Sequence, residues 1–276
     1  PAPRSPATLH NVSENLCYTD AYARQTDAVV VEVDPEARAV LLDRTVFYPG
    51  GGGQPADTGQ LIGDSGGSWR ISGARKRGDD IWHTIGDEEE IPAVDTQVIA
   101  EIDWERRHRL MRTHSALHVL CGVVWRDHAA SVTGGNMEPL AARMDFEFDP
   151  LPEGFKDEVE QLVADEVAAD RPIEVSFLPR DTALDDADLI RTKVNLIPES
   201  VAEFRVVDLV GCDKQADGGT HVRTTGEIGA VRVVKTESKG KGNKRVRIEV
   251  TACCRARPST RCGTGCGSWG GWWWRS

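Results

Sequence analysis

The sequence predicts an α+β protein built in two parts. Residues 1–103 form a small β-barrel-like domain, and residues 104–250 form a two-layer α/β domain with helices on a mostly antiparallel sheet. Two observations predict this division. Short β-branched runs separated by turn residues fill the first part, and a long segment with apolar residues at helical spacing opens the second part at Trp104.

The elements predicted for the first part are short and closely spaced. Residues 28–33 and 39–42 predict a hairpin around a turn at 34–38. Further strands are predicted at 60–62, 69–74, 81–85 and 96–102. Short strands at this spacing indicate a small barrel or a curled sheet that ends near Asp103.

The second part mixes helices with strands. Residues 104–128 carry apolar side chains at helical spacing, and so do residues 152–170, where one face is expected to be buried. The other predictions are a polar turn at 131–136, strands at 142–148, 173–178, 203–209, 230–235 and 245–250, and a short helix at 182–187 capped by Asp181 or Thr182.

Composition narrows the class of protein. The net charge is −11, the hydrophobic fraction is 39%, and no apolar run approaches the ~20 residues of a membrane span. An acidic chain does not bind nucleic acid through its overall charge, so an RNA partner requires a local basic patch. Because residues 1–10 lack the apolar core of a secretory signal, we expect a cytoplasmic protein without a membrane partner. The oligomeric state stays open.

The C-terminal segment differs from the rest of the chain. Residues 251–276 contain four of the seven cysteines and four of the eight tryptophans without any periodicity, and we expect this tail to be disordered. A zinc site on its cysteines is the alternative, although their spacing matches no usual site. These cysteines are Cys253, Cys254, Cys262 and Cys266.

A run of four glycines interrupts the first part, immediately before Gln54. Glycine permits positive φ and removes the side chain, so another backbone or a ligand can approach closely. A flexible loop is the alternative interpretation. The four residues are Gly50, Gly51, Gly52 and Gly53.

Two histidines on the predicted long helix indicate a metal site. His114 and His118 are four residues apart, so both imidazoles lie on one helix face and can reach one ion. His221 follows about a hundred residues later. A protease of the His-Glu-x-x-His class is excluded, because no glutamate lies between the helical histidines. Zinc with three or four such ligands and an open position is a hydrolytic catalyst.

The fourth ligand has two candidates. Asp217 lies four residues before His221, and Cys212 lies nine residues before it. A thiolate is the better zinc ligand, whereas the spacing favours Asp217.

Four stretches occur in a specific order over about residues 15–250. They are the glycine-rich stretch 45–59, the His114–His118 pair, the segment 218–229 with His221, and Ser-Lys-Gly-Lys-Gly-Asn at 238–243. In this order and spacing the chain resembles the freestanding alanyl-tRNA editing proteins (AlaX-type), which are related to the editing domain of alanyl-tRNA synthetase. The similar domain of threonyl-tRNA synthetase shares the histidines, but the glycine-rich stretch indicates the alanine branch.

The resemblance implies trans-editing, which is hydrolysis of the ester that joins a wrong amino acid to tRNA(Ala). Seryl-tRNA(Ala) is the expected main substrate, glycyl-tRNA(Ala) the second, and one Zn²⁺ per chain the cofactor. The implied fold is an N-terminal barrel-like domain followed by an editing domain that holds the zinc. The relation to a ligase adds nucleotide and ATP binding to the expectations.

Two residues depart from the family pattern. The usual fourth ligand is a cysteine four residues before the last histidine, and Asp217 stands there. Zinc is then held by three histidines and an oxygen, or its shell is completed by Cys212. In the synthetase a threonine precedes the second helical histidine and helps to exclude alanine. Leu117 occupies that position here, so another group has to reject alanine.

Gln54 and Thr133 are the polar candidates for catalysis, either by orienting water or by sensing the seryl hydroxyl. A pocket that hydrogen-bonds this hydroxyl leaves polar groups unpaired when alanine enters, which favours serine. Ordinary loop polarity is the alternative for both residues. The four glycines are expected to admit the acylated 3′ end.

RNA contact is predicted on a glycine-rich basic hairpin of the acidic chain, where cations grip phosphates without reading sequence. A solvated turn is the alternative. The hairpin cations are Lys239, Lys241, Lys244 and Arg245, with Lys235 and Arg247 beside them, and Arg106, Arg107, Arg109 and Arg112 could extend the patch.

Three functions compete at this stage. The first is a zinc-dependent aminoacyl-tRNA deacylase. The second is a catalytically impaired tRNA-binding module of the same fold, which the cysteine-to-aspartate difference makes conceivable. The third is a zinc hydrolase for another small ester or amide, which the basic hairpin disfavours.

Overall fold

A computed structural model of the chain describes residues 13–64, 66–87, 89–148, 150–185, 189, 191, 201–240 and 242–251. The tail cysteines and Lys241 lie outside the described residues. Among the residues that are described, no helix has the length and apolar character needed to cross a membrane.

The first half is a closed antiparallel barrel in the strand order β2-β3-β7-β6-β5-β8, which β8 completes by pairing with both β2 and β5. Alternate residues of its strands point inward, and Val30, Leu61 and Ile85 are among the fully buried side chains. The barrel strands are β2 (Gln25–Asp34), β3 (Ala39–Leu42), β5 (Gly59–Gly63), β6 (Ser68–Arg77), β7 (Asp80–Ile85) and β8 (Gln97–Ile102). Outside the barrel, β1 (Glu14–Asn15) and β4 (Arg44–Thr45) pair in parallel.

The second half places helices against two antiparallel sheets with strand orders β14-β15-β10-β9 and β11-β12-β13. The α+β prediction is confirmed, whereas the division into domains stays a prediction. The elements are α1 (Trp104–His128), β9 (Val132–Glu138), β10 (Ala141–Glu147), α2 (Phe155–Ala168), β11 (Ile173–Pro179), α3 (Arg180–Leu184), β12 (Glu203–Leu209), β13 (Asp213–Ala216), β14 (Ala230–Ser238) and β15 (Asn243–Thr251).

Helix α1 is the central element of this half. The Asp103 side chain caps its first turn by accepting from the Arg106 amide at 3.1 Å, and the helix ends at Ala129 with φ of 51°. Fifteen of its 25 residues are buried. Its apolar residues join α2, the strands β10, β14 and β15 of one sheet and β12 of the other in one core, so the helix packs against both sheets.

Two local predictions are wrong. The polar turn expected at 131–136 is strand β9, because Gly134 and Gly135 pair with β10 and do not reverse the chain. The short helix expected at 182–187 is α3, which begins at Arg180 after Pro179 and has no side-chain cap. Glycine and polar residues favoured a turn at the first site, and cross-strand pairing overrides this local preference.

A buried ion pair joins α1 to the barrel. Arg107 is 0% exposed, and its Nε donates to both carboxylate oxygens of Asp57, at 3.0 and 2.9 Å, while Nη2 donates to the same carboxylate. The remaining donors reach the main-chain oxygens of Ala21 at 3.0 Å and Val46 at 2.7 Å. The suggestion that Arg107 belongs to an exposed RNA-binding patch is therefore wrong.

Candidate metal centre

Four side chains converge where α1 meets the segment that follows β13. His114, His118, Asp217 and His221 offer ligand atoms that all lie within 4.8 Å of one another. The centroids of the imidazole rings are 4.3 to 5.2 Å apart. Three imidazoles and one carboxylate at these distances could hold a metal ion.

The backbone explains why these residues meet. His114 and His118 occupy successive turns on one face of α1. Asp217 directly follows β13, where its amide donates to the Arg205 main-chain oxygen at 3.0 Å and extends the pairing with β12. The chain then turns through two glycines and returns His221 to the same point, where its Nε2 lies 2.9 Å from Asp217 Oδ2.

Each imidazole is fixed through its Nδ1 atom by a different partner. His114 Nδ1 lies 3.0 Å from Gln54 Oε1, His118 Nδ1 lies 2.9 Å from Asp213 Oδ2, and His221 Nδ1 lies 3.4 Å from Ser115 Oγ. Partners of this kind select the tautomer and the ring orientation of metal-binding histidines. All three Nε2 atoms are therefore left for the common centre.

Gln54 connects the glycine-rich stretch to this centre. Its Oε1 faces His114 and also accepts from the Thr220 amide at 3.0 Å, while its Nε2 donates to Thr220 Oγ1 at 2.9 Å. Gln54 is 2% exposed and belongs to the barrel half, whereas Thr220 precedes the last histidine. One amide side chain thus ties the loop, the helix and the ligand segment together.

The four glycines have a defined conformation in the structure. Residues 50–53 all have positive φ, between 56° and 133°, which explains why no side chain occurs there. A Cβ at Gly53 would lie 3.3 Å from the Gly135 main-chain oxygen on β9, and one at Gly52 would lie 3.9 Å from Asp217 Oδ1. The loop therefore lies against the metal cluster. Its role in admitting substrate stays a prediction.

Gly219 is required for the histidine arrangement. A Cβ built at this position would lie 2.2 Å from His114 Cε1 and 2.4 Å from its Nδ1, far inside van der Waals contact. The Gly219 amide also donates to Asp217 Oδ2 at 2.7 Å. The ligand segment can pass this close to α1 only without a side chain at this residue.

Burial controls the charge of the site. Desolvation holds the pKa of His114 well below its usual value and lowers the pKa of His221 to about 4, so both rings are neutral near pH 7 and keep a lone pair for a metal. Desolvation also acts on His118, but the hydrogen bond and charge of Asp213 outweigh it and raise its pKa. Desolvation alone would raise the pKa of Asp217, yet the neighbouring histidines hold it well below its usual value.

The predicted ligands separate into two groups. The cluster contains His114, His118, Asp217 and His221, and it does not contain Cys212, which lies in the turn between β12 and β13. Burial raises the pKa of the Cys212 thiol to about 12, so it is not a ready thiolate ligand. A nitrogen-rich donor set with one carboxylate suits Zn²⁺.

Leu117 is 3% exposed and packs in the hydrophobic core of the second half. It precedes His118 on α1, yet it belongs to the apolar surroundings of the helix. Any rejection of alanine has to come from another residue.

Thr133 and the basic hairpin occupy another region. Thr133 is exposed on β9, its Oγ1 donates to Asn243 Oδ1 at 3.0 Å, and no hydrogen bond between described residues links it to the histidines. Arg245 is paired with Asp145 at 2.7 and 2.8 Å. Lys235 lies 2.8 Å from Glu237, which Arg247 also approaches at 3.5 Å.

The hairpin cations are therefore unequal. Arg245 is paired with the Asp145 carboxylate, and Glu237 is shared by Lys235 and Arg247. The Lys244 ammonium, in contrast, reaches only the Ser238 hydroxyl, at 3.3 Å, in the part of the chain that is described. Arg112 lies apart from the hairpin tip and donates to main-chain oxygens of Ile228 and Thr251. The RNA-binding role of these residues stays a prediction.

Sequence reasoning missed two residues of the site. Asp213 and Ser115 each orient one histidine, but neither forms a pattern with it along the chain, since Asp213 and His118 are separated by 95 residues. The available signals were a carboxylate four residues before Asp217 and a small hydroxyl immediately after His114. Neither has this meaning until the helix and the strand are placed together.

Two family models match parts of the chain. Residues 9–106 match the model of tRNA synthetases class II (A), and residues 204–247 match that of the threonyl and alanyl tRNA synthetase second additional domain. The second match ends within the basic hairpin and includes both Asp217 and His221.

Curated relatives match most of the chain. An alanyl-tRNA editing protein AlaX-M of Saccharolobus solfataricus is 39% identical over 248 residues, which cover 87% of this chain and 99% of the relative. An AlaX-M of Methanosarcina barkeri is 34% identical, covering 85% and 98%. An alanine–tRNA ligase of Pyrobaculum calidifontis is 36% identical over 82% of this chain but only 25% of its own length. The chain therefore belongs to the AlaX-type alanyl-tRNA editing family, which confirms the resemblance.

Proposed function

We propose that this member of the editing family is a trans-editing hydrolase that deacylates mischarged tRNA(Ala). Seryl-tRNA(Ala) is its main substrate and glycyl-tRNA(Ala) the second. The observation that carries the proposal is the convergence of three imidazoles and one carboxylate, in a chain whose relatives are named for alanyl-tRNA editing. We further propose one Zn²⁺ per chain and a cytoplasmic location. ATP binding stays a prediction that nothing here tests.

The reaction is the attack of water on the ester carbonyl that joins the amino acid to the terminal ribose. When bound, zinc acidifies water and polarises a carbonyl, and either action favours this hydrolysis. His114, His118, His221 and Asp217 would hold it. The remaining residues act by position, because Gln54, Asp213 and Ser115 fix the rings before substrate arrives.

The contacts of Gln54 support a role for this residue at the edge of the centre. It contacts His114 and Thr220, and it follows the four glycines, of which Gly52 lies beside Asp217. Serine differs from alanine by one hydroxyl, and a site that hydrogen-bonds this group rejects the analogue lacking it. We assign Gln54 to this part of the pocket. Thr133 is retained as a second candidate, although it lies closer to the basic hairpin.

tRNA binding is assigned to the hairpin formed by β14 and β15. Lys239 and Lys244 lie at its tip, Lys241 belongs to the same sequence, and Arg245 lies deeper, in its pair with Asp145. Exposed cations at a hairpin tip can reach phosphates while the acidic body stays away. Neutralising Lys239 and Lys244 together should weaken tRNA binding and flatten its salt dependence, while Arg232→Ala on β14 serves as the control.

The test compares ester loss from seryl-tRNA(Ala) and from correctly charged alanyl-tRNA(Ala). Release from the seryl substrate that His118→Ala abolishes, with the alanyl substrate spared, is the expected result. The metal content of the same preparations is measured by elemental analysis. Equal cleavage of both substrates would contradict the proposed specificity.

A binding module without catalysis is the second candidate, and Asp217 in the position of the family's cysteine favours it. Under this hypothesis tRNA binds with the same salt dependence, but neither substrate is cleaved although zinc is present. Asp217→Cys then decides between the candidates. Activity that appears only in this variant identifies an impaired site, and activity already present in the unaltered protein rejects the second candidate.

A further inference from the structure

An exposed aromatic side chain lies beside the metal cluster on the three-stranded sheet. Phe177 on β11 is 41% exposed and pairs directly with Arg205 on β12. Arg205 is in turn followed across the sheet by Asp217, whose amide donates to the Arg205 main-chain oxygen. Residues opposite one another on antiparallel strands project from the same face. Phe177, Arg205 and Asp217 therefore form one row on one face.

The spacing of this row sets the distance from the metal cluster to the ring. Adjacent strands lie ~4.8 Å apart, so the backbones of Asp217 and Phe177 are separated by roughly 10 Å. Arg205 fills the interval, with its Nη1 donating to the Asp217 main-chain oxygen at 2.8 Å and its Nε to that of Tyr18 at 2.9 Å. The Arg205 side chain is only 8% exposed. The Phe177 ring is therefore the first solvent-exposed side chain of the row beyond Asp217 and Arg205.

The apolar surface continues along β11. Val175 lies two residues before Phe177, on the same face, and is 40% exposed. Its cross-strand partner Val207 is completely buried under α1, so the exposed surface begins where the helix no longer covers the sheet. On the opposite face of this sheet, Phe204 and Val206 of β12 are buried with Ala183.

We propose that Phe177, extended by Val175, is the stacking platform for the terminal adenine of the aminoacyl-tRNA. This inference rests on the proposed function, in which the ester lies at the metal cluster. In the aminoacyl-tRNA the terminal adenine is separated from the ester by one ribose. With the ester at the cluster, we place this base along the row from Asp217 towards Phe177. Aromatic rings bind unpaired bases by stacking, and one exposed ring beside a reacting 3′ end fits a single flat base.

The experiment measures steady-state deacylation of seryl-tRNA(Ala) by Phe177→Ala and Phe177→Tyr. We expect Phe177→Ala to raise KM about tenfold with kcat within about twofold, and Phe177→Tyr to restore KM, because stacking contributes to binding and not to the chemical step. Val94→Ala, which shortens a 49% exposed side chain of the barrel half, is the matched control and should leave KM unchanged.

A second comparison tests whether the base is the occupant. Wild-type protein and Phe177→Ala are each given two small esters, seryl-adenosine and the seryl ester of methyl riboside, which has no base. We expect the variant to lose about tenfold in kcat/KM on the adenosine ester and nothing on the riboside ester, so that the two changes are not additive.

The outcomes separate this inference from the proposed function. If the wild-type protein cleaves no seryl ester, the proposed function fails. If it cleaves seryl-tRNA(Ala) and Phe177→Ala keeps the wild-type KM, the platform is overturned while the function stands. Equal losses on both small esters, or a changed oligomeric state of Phe177→Ala in solution with an unchanged KM, would likewise overturn it.

Discussion

Two buried polar clusters include side chains of α1, one around Arg107 and the other around His114 and His118. They differ in where their polar atoms find partners. In the Arg107–Asp57 cluster each arm of the guanidinium ends on a protein oxygen, and the Tyr48 amide donates to the carboxylate at 2.7 Å. In the histidine cluster the three Nδ1 atoms and the Asp217 carboxylate have partners from outside the cluster, whereas the Nε2 atoms face its centre. The first cluster is closed within the protein, whereas the second collects three ring nitrogens around one point.

The difference teaches how to distinguish a structural buried charge from a binding site. Burying charge is costly unless every polar group finds a partner, and the Arg107 cluster meets this requirement with protein atoms alone. The histidine cluster instead brings three imidazoles and a carboxylate close enough together to act as ligands of one metal ion. The variants below test this contrast, beginning with the largest expected effect.

Removing a ligand should affect metal binding far more than folding. We expect His221→Ala to lose its metal and its deacylation activity, because two histidines and a carboxylate leave the coordination shell incomplete. Its free energy of unfolding without metal should stay within about 1 kcal/mol of the wild-type value, since desolvation already disfavours the charged ring. Elemental analysis and metal-free urea denaturation provide the two measurements. If His221→Ala kept its full metal content, His221 would not be a metal ligand.

Breaking the closed cluster should have the opposite effect. Asp57→Ala leaves Arg107 buried without its counterion, and we expect the free energy of unfolding to fall by about 3–5 kcal/mol. Asp34→Ala is the control, because its pair with Arg77 at 2.6 Å is exposed to solvent and should contribute little to stability. Equal losses in the two variants, measured by urea denaturation, would show that burial does not distinguish them.

A third buried polar group, His83, has all its partners within the protein, and its effect can be measured through the pH dependence of stability. His83 lies inside the barrel with its Nε2 2.8 Å from Thr45 Oγ1, and burial lowers its pKa from 6.5 to about 4. The unfolded chain therefore binds a proton between pH 6.5 and pH 4 that the folded protein excludes. The contribution of the neutral His83 ring to the free energy of unfolding is complete above pH 6.5. It is lost as the pH decreases to about 4, and the loss is at most ~3 kcal/mol. The slope of stability against pH should be smaller in His83→Gln.

The outer partner of a ligand should have the smallest effect. Asp213→Asn keeps the shape of the contact with His118 but removes the charge, and we expect metal affinity to fall about 10–100-fold. Asp208→Asn on β12, a half-buried aspartate outside the cluster, is the matched control. Isothermal titration with Zn²⁺ measures both. An unchanged Zn²⁺ affinity in Asp213→Asn would show that the contact between Asp213 and His118 does not influence metal binding.

The sequence predicts the outline of this molecule because its signals are local. The β-branched runs of the barrel strands and the helical spacing of α1 are properties of neighbouring residues, and both elements occur where predicted. Strand β9 was mistaken for a turn because its glycines carry the local signature of one. Their pairing with β10 comes from tertiary contacts.

The candidate site shows the same limit. The i and i+4 spacing of His114 and His118 indicates a shared face without any fold, and the segment 217–221 supplies Asp217 and His221 as further candidate ligands. No local pattern connects Asp213 with His118 or places Gln54 against His114, 60 residues away. The burial of Arg107 was equally hidden, since its sequence neighbours are the charged residues of an ordinary exposed helix face.

The histidine cluster draws on three distant segments of the chain, and this imposes an order of events during synthesis. Gln54, the α1 histidines and His221 become available to one another only after residue 221 has left the ribosome. The barrel, completed by β8, can close earlier. The centre is therefore among the last features that a nascent chain completes, so a metal ion can be held by all four residues only after the chain has been synthesised through residue 221.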